Sequence, residues 1–292
     1  MIDVALVGHF AKDRLIFRGI TEIASGGGVY YGSMALRRLG FGVAVVTRLH
    51  PDDFGLLEEL RGEGISVHAS AAPETTGIEN VYPGNEMDRR ICRPLAFAGP
   101  FPSGEIPRLD ARVTIITPLM AGEVTGDLVS ELVARGPVGL DVQGFVRVRQ
   151  GDALVTVDWP GKASDLAGVA FLKADDAEAE VLTGQTDLRK AAEALSALGP
   201  REIVLTHAGG ILVRAEGMFV EAAFTPRIVR GRTGRGDTCF ATYVASRLDS
   251  APEEACRLAA AVTSLKMEHP GPYRGSRKEA EGMLAGSPPD WL

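Results

Sequence analysis

Short apolar runs alternate with helix-like patterns along this chain, and that rhythm narrows the choice of fold. Residues 4–7, 42–46, 113–116, 138–140, 169–172 and 203–206 are apolar along nearly their whole length, as strands covered on both faces are. Between several of them lie segments of helical spacing, at 33–39, 126–134, 178–182 and 188–198. The alternation predicts an α/β fold, a doubly wound, mostly parallel sheet with helices on both faces. With 45% hydrophobic residues in 292, the chain can fill such a core as one large domain or as two small ones. The rhythm breaks over 66–102, which is rich in Pro, Gly and charge. There 78–82 and 89–92 read as short antiparallel strands; an irregular surface loop of that length would be unusual without a function.

The segment 231–240 carries the sharpest chemical signal. Gly234 and Gly236 bracket Arg235, Asp237 follows, and a helical apolar pattern starts at Phe240. Glycines at a helix entrance let backbone N–H groups turn toward one point, and the helix dipole adds positive potential there. That point suits a phosphoryl group in transfer, with a carboxylate placed to take the proton of an attacking hydroxyl. Alone, the same residues also describe a glycine-rich turn with Asp237 as an ordinary N-cap. Other polar residues follow the strand-like runs. Asp13 comes after the first, Asp141, Gln143 and Arg147 after the fourth, Lys173, Asp175 and Glu178 after the fifth, and Thr206 closes the sixth. Ligands of open α/β sheets gather beyond the carboxyl ends of the strands. Together these residues mark one rim as a site.

A net charge of −7 without a basic cluster argues against a nucleic-acid partner. No apolar stretch is long enough to span a bilayer, so no membrane partner is expected. The three cysteines have no Cys-x-x-Cys spacing and the N-terminus lacks a basic leader, which points to a cytoplasmic protein. There is no P-loop, His-Glu-x-x-His or Gly-x-Ser-x-Gly, and the five scattered histidines read as surface or core residues. Gly26, Gly28 and Gly32 ahead of a helix, with Asp52 and Asp53 some way on, keep a dinucleotide-binding oxidoreductase open. That reading leaves Gly234, Gly236 and Asp237 unexplained.

Two signatures make the chain resemble the PfkB (ribokinase-like) carbohydrate kinases. Thr233, Gly234, Gly236, Asp237 and Phe240 match the C-terminal one, while Gly231 replaces its leading Asp and Arg235 a small residue. Gly26, Gly27, Ala35, Leu36, Leu39 and Gly40 match the N-terminal one, with Tyr31 where the family usually has Asn. Lys173, Asp175, Glu178, Glu180, Leu182 and Gly184 resemble a third motif. The resemblance implies one ribokinase-like domain, 1–292, with a small β lid formed by about 14–24 and 66–102. It implies ATP-dependent transfer of the γ-phosphoryl group to a hydroxyl of a small sugar or polyol, inositol first and a nucleoside next. Asp237 would be the base and Gly234, Arg235 and Gly236 the anion hole. Asp13, Gly26, Gly27, Tyr31, Gln143 and Arg147 would meet the substrate. Lys173, Asp175, Thr206, Gly209 and Ser264 would lie on the nucleotide side, and Glu178 near Mg²⁺ through water. A catalytically silent sugar or nucleotide sensor on the same fold is the alternative of another class, and monomer and homodimer both stay open. Many members bind a monovalent cation through the Asp that Gly231 replaces, so potassium dependence is expected to be weak or absent. Arg232 and Arg235 either meet the phosphates or point to solvent.

Overall fold

The computed structural model describes residues 1–82, 91–102 and 104–285. The chain begins with β1 (Ile2–Val7), β2 (Ala11–Phe17), β3 (Ile20–Gly26), α1 (Gly28–Arg38), β4 (Val43–Leu49), α2 (Glu58–Gly62) and β5 (Ser66–Ala71). It continues through β6 (Gly77–Tyr82), β7 (Ile91–Ala96), β8 (Ala111–Ile116), α3 (Gly126–Val133), β9 (Val138–Asp141) and α4 (Gln143–Val146). After the hairpin β10 (Arg147–Gln150) and β11 (Ala153–Thr156) come α5 (Lys162–Asp165), β12 (Phe171–Asp175), α6 (Asp176–Thr183) and α7 (Leu188–Ser196). The rest is β13 (Glu202–His207), β14 (Gly210–Ala215), β15 (Met218–Ala223), α8 (Arg235–Ser246), α9 (Pro252–Met267) and α10 (Arg277–Ala285).

Nine strands form the main sheet in the order β15-β14-β13-β12-β9-β8-β1-β4-β5. Pairings from β5 to β13 are parallel, and β14 and β15 add an antiparallel edge. Alternate residues of one strand serve both faces. Val204 joins the core under α1, α8 and α9, while Ile203 and Leu205 join the core under α3, α6 and α7. That double coverage explains why the strands read as unbroken apolar runs. From β1 the chain turns one way to β4 and later the other way to β8, which leaves a crevice at the carboxyl ends of β1 and β8. This is where open α/β sheets hold ligands.

A second sheet, β3-β2-β6-β7, stands at that end. Its β2–β3 hairpin turns at Arg18 and Gly19, both at positive φ, as a two-residue hairpin turn requires. The segment 66–102 divides between the sheets. Ser66–Ala71 is the parallel edge strand of the main sheet beside β4, and among the described residues of the segment Gly77–Tyr82 and Ile91–Ala96 belong to the small one. Of the strand expected at 89–92, residues 89 and 90 lie outside the described residues. The strand expected at 169–172 begins at Phe171, two residues late.

Candidate active site

Two helix N-termini meet in the crevice. α8 starts after Gly234, which takes a left-handed conformation at φ 80°. There is no room for a Cβ at Gly234, because the Tyr31 ring of α1 packs against it. Glycine therefore satisfies both backbone and space. α1 starts after Gly27, and a Cβ on Gly28 would lie 2.9 Å from Asp237 Oδ1. It would also strike Thr117, the residue just after β8. Further along, Gly32 lets α1 approach Ala241 of α8 and Leu6 of β1. The glycines at 26, 28 and 32 thus serve close packing, Gly26 against Asp13, Gly28 against Thr117 and Asp237, and Gly32 against Leu6 and Ala241.

Asp237 sits in the first turn of α8, half-buried, beside the second component of the site. Lys173 on β12 is buried, with Nζ 3.1 Å from Asp141 and 3.5 Å from Glu178. A Cβ on Gly236 would lie 3.4 Å from Lys173 Nζ and 4.0 Å from Thr206 Oγ1. Burial alone would lower the Lys173 ammonium, but Asp141, then Glu178, Asp175 and Asp237, hold it well above its ordinary range. The same burial raises Asp141 and Glu178, and Lys173 opposes it. Lys173 is therefore a fixed positive charge at the α8 entrance. Asp175 and Glu178 form a reciprocal cap on α6, each carboxylate accepting the other's backbone N–H at 2.8 Å. That cap starts the helix at Asp176, ahead of the expected 178.

The other expected residues take the following places. Asp13 on β2 accepts from Ile78 N at 2.9 Å and crowds Gly26, so it roots the small sheet next to Gly27. Gln143 N donates to Asp141 Oδ1 at 3.0 Å, and Arg147 donates to Gln143 Oε1 at 2.9 Å, which ties both to the Lys173 cluster. The Arg235 guanidinium lies 5.8 Å from the Phe224 ring centroid, and burial followed by Arg232 lowers its pKa. Phe224 N donates to the carbonyl of Gly209, in the β13–β14 turn. Ser264 is fully buried on α9, where its hydroxyl donates to Ala260 O and accepts from Thr225 N.

Three residues escaped the sequence reading. His9 and Glu123 are buried together behind Gly27, with Glu123 accepting from the backbone of His9 and Leu119 at 2.6 and 2.7 Å. Burial and then Arg48 lower His9 to about 3, and burial pushes Glu123 up to about 8. A neutral imidazole and a buried carboxyl thus fasten the end of β1 to the loop after β8. Lys266 is buried on α9, 2.9 Å from the carbonyl of Gly231. Its spacing from Ala259 and Thr263 puts it on the buried side of that helix, which was the available signal.

Comparison with known proteins decides the family. Residues 149–279 match the pfkB family carbohydrate kinases. A pyrophosphate-dependent kinase of the ribokinase family, solved with sulfate, is 38% identical over 95% of this chain and 99% of its own, with a TM-score of 0.89. The chain belongs to this kinase family. A pyrophosphate-dependent kinase of the family complexed with a pyrophosphate analogue and myo-inositol is 36% identical over 96% of this chain and 99% of its own, at TM-score 0.88. Arabidopsis thaliana ribokinase with ribose and ATP shares the fold at 19% identity, covering 98% of this chain and all of that one, at TM-score 0.79. The kinase is thus a phosphotransferase acting on a hydroxyl of a sugar or polyol, on a ribokinase-like fold. Among the described residues, no helix is long and apolar enough to cross a membrane.

Proposed function

We propose that the kinase phosphorylates a hydroxyl of a cyclic polyol, inositol first, with Asp237 as the general base. The observation that carries this reading is the position of the Asp237 carboxylate, beside the N-termini of α1 and α8 and next to the fixed Lys173 charge. The acceptor oxygen attacks the terminal phosphorus of the donor, the bond to the bridging oxygen breaks, and the proton passes to Asp237. A carboxylate is a weak base toward a free alcohol, so the proton moves as the new O–P bond forms. N–H groups at Gly234 and Gly236, with Lys173, stabilise charge on the phosphoryl group, while the Arg235 N–H is given to Arg232 O at 3.1 Å. Residues 11–26, 77–82 and 91–96 act as a lid on a single domain, with Asp13 at its root.

Pyrophosphate is the first donor, in place of the ATP expected from sequence. Relatives at 36–38% identity use it, and Arg235 with Lys173 offers the dense positive charge a compact anion needs. ATP is the second reading, favoured by a cavity of about 910 Å³ that runs from His207, Gly209 and Thr225 along Ala260 and Ala261. Magnesium fits only as an ion carried by donor oxygens and water. Among the described residues no three metal-ligating side chains converge, and Asp141 and Glu178 already face Lys173. Glu178 would meet that water, and the ion, when bound, neutralises donor charge.

Assaying each donor with magnesium against a polyol and nucleoside panel tests the reading. Phosphoinositol formed from pyrophosphate, with kcat/KM at least tenfold above that with ATP, is expected. No phosphomonoester from any polyol with either donor would end it.

A further inference from the structure

Lys266 is the second buried ammonium of the site and has no part in the reaction described so far. Its side chain is 1% exposed. Nζ lies 2.9 Å from Gly231 O and 5.5 Å from the centroid of the Tyr31 ring. That ring packs against Gly234, so one cation holds Gly231 directly and reaches the other end of the 231–234 loop through the ring. Its charge is felt at Asp237 and Arg235. A carbonyl and a ring face are modest partners for a desolvated ammonium, and an uncompensated buried charge is costly. Burial, opposed by Asp237 and reinforced by Arg235, brings its pKa down to about 7. An isosteric apolar side chain would fill the same space without that cost. The loop around it is closed to alternatives, because a Cβ on Gly231 would collide with the backbone of His269 and Pro270. Residue 231 therefore has no space for a carboxylate that could hold a free cation.

We propose that Lys266 is the resident cation of the anion hole, a positioning residue that braces the 231–234 loop and places positive charge behind Asp237 in place of a bound monovalent ion. The inference rests on the phosphoryl-transfer reading of this site. Lys173 lies on one side of the α8 entrance and Lys266 on the other, so a donor anion entering at Gly234 and Gly236 meets charge from both. The charge is covalently attached and needs no ion from solution; the pKa near 7 belongs to the donor-free site, and an arriving anion raises it and keeps Nζ protonated.

The test compares wild type, Lys266→Met and Lys266→Ala. Calorimetric binding of pyrophosphate and of a nonhydrolysable ATP analogue is measured alongside turnover, so that a wrong donor or acceptor assignment is separable from a wrong role for Lys266. Wild-type turnover should change less than twofold when potassium replaces a bulky organic cation at constant ionic strength. Lys266→Met should bind whichever donor wild type binds at least tenfold more weakly and turn over about 10–100-fold more slowly, less than the 10²–10³ lost with a donor in direct contact. Its KM for the polyol should stay within threefold, and its melting temperature should match or exceed that of wild type. In Lys266→Ala, ammonium or potassium should restore at least tenfold in donor affinity or rate. Donor binding by Lys266→Met equal to wild type overturns the proposal. So does strong potassium dependence of wild type, or a loss in Lys266→Ala that no small cation restores.

Discussion

The crevice around Asp237 and the small sheet beside it treat water in opposite ways. At the crevice, charge is taken out of water: Lys173, Asp141, Glu178 and Lys266 are all buried. On the small sheet, apolar groups are left in water, with Ile20 72% and Ile23 56% exposed, and Ile91 and Leu95 also exposed. Buried charge is tolerable only where partners are held rigidly, and here the parallel strands β9 and β12 and the helices α6 and α9 hold them. A sheet with little to bury opens at low cost. The contrast separates two tasks. On the proposed function, electrostatic stabilisation of phosphoryl transfer would sit on the rigid elements, and enclosure of the acceptor would fall to the small sheet.

The largest expected effect comes from breaking the rigid side. Lys173→Met leaves Asp141 and Glu178 facing each other without their cation, and should cost about 3–5 kcal/mol of stability. Denaturant unfolding measures this, and a loss below about 1 kcal/mol would mean the cluster is not rigidly paired. Next comes Gly234→Ala, which meets both a left-handed backbone and the Tyr31 ring. It should cost about 1–3 kcal/mol and lower kcat with little change in polyol KM. An unaltered kcat would detach the loop from catalysis.

Titration sharpens the same contrast. The folded chain releases the Lys266 proton near pH 7, whereas an unhindered lysine does so near 10.5. Between these values the unfolded chain binds more protons, so this group makes stability rise with pH. Lys266→Met removes that rise, and its stability advantage over wild type should shrink by roughly 2 kcal/mol from pH 7 to pH 9. Parallel profiles for the two proteins would contradict the depressed lysine.

The smallest effect belongs to the exposed sheet. Ile23→Ser should change stability by less than about 0.5 kcal/mol. Amides of 11–26 and 77–82 should nonetheless gain protection from exchange when acceptor and donor analogue bind together. Equal protection with and without ligands would make this sheet a static platform.

The same division governs what the sequence discloses. Parallel strands such as 4–7 and 203–206 are legible because both faces are covered and the whole run must be apolar. β14 and β15 were not counted among the runs, because Arg214 and Glu221 interrupt an edge that is partly wet. The site residues that follow strands could be named one by one, since the sheet itself brings strand ends to one rim. Lys266 could not, because its partner Gly231 is 35 residues away and meets it where residues 230 and 231 hydrogen-bond to the end of α9. His9 and Glu123 are 114 residues apart and hidden for the same reason. Ser264, named by resemblance, holds the segment after β15 against α9.

The central claim is that Asp237 takes the proton of the acceptor hydroxyl within a charge frame that stays intact without it. Phosphomonoester formation followed by ³¹P NMR in wild type and Asp237→Asn, with calorimetric binding of polyol and donor to each, tests it directly. The account predicts a kcat about 10²–10⁴-fold lower in the variant, with both affinities within a few-fold of wild type. A variant that turns over at nearly the wild-type rate would contradict it.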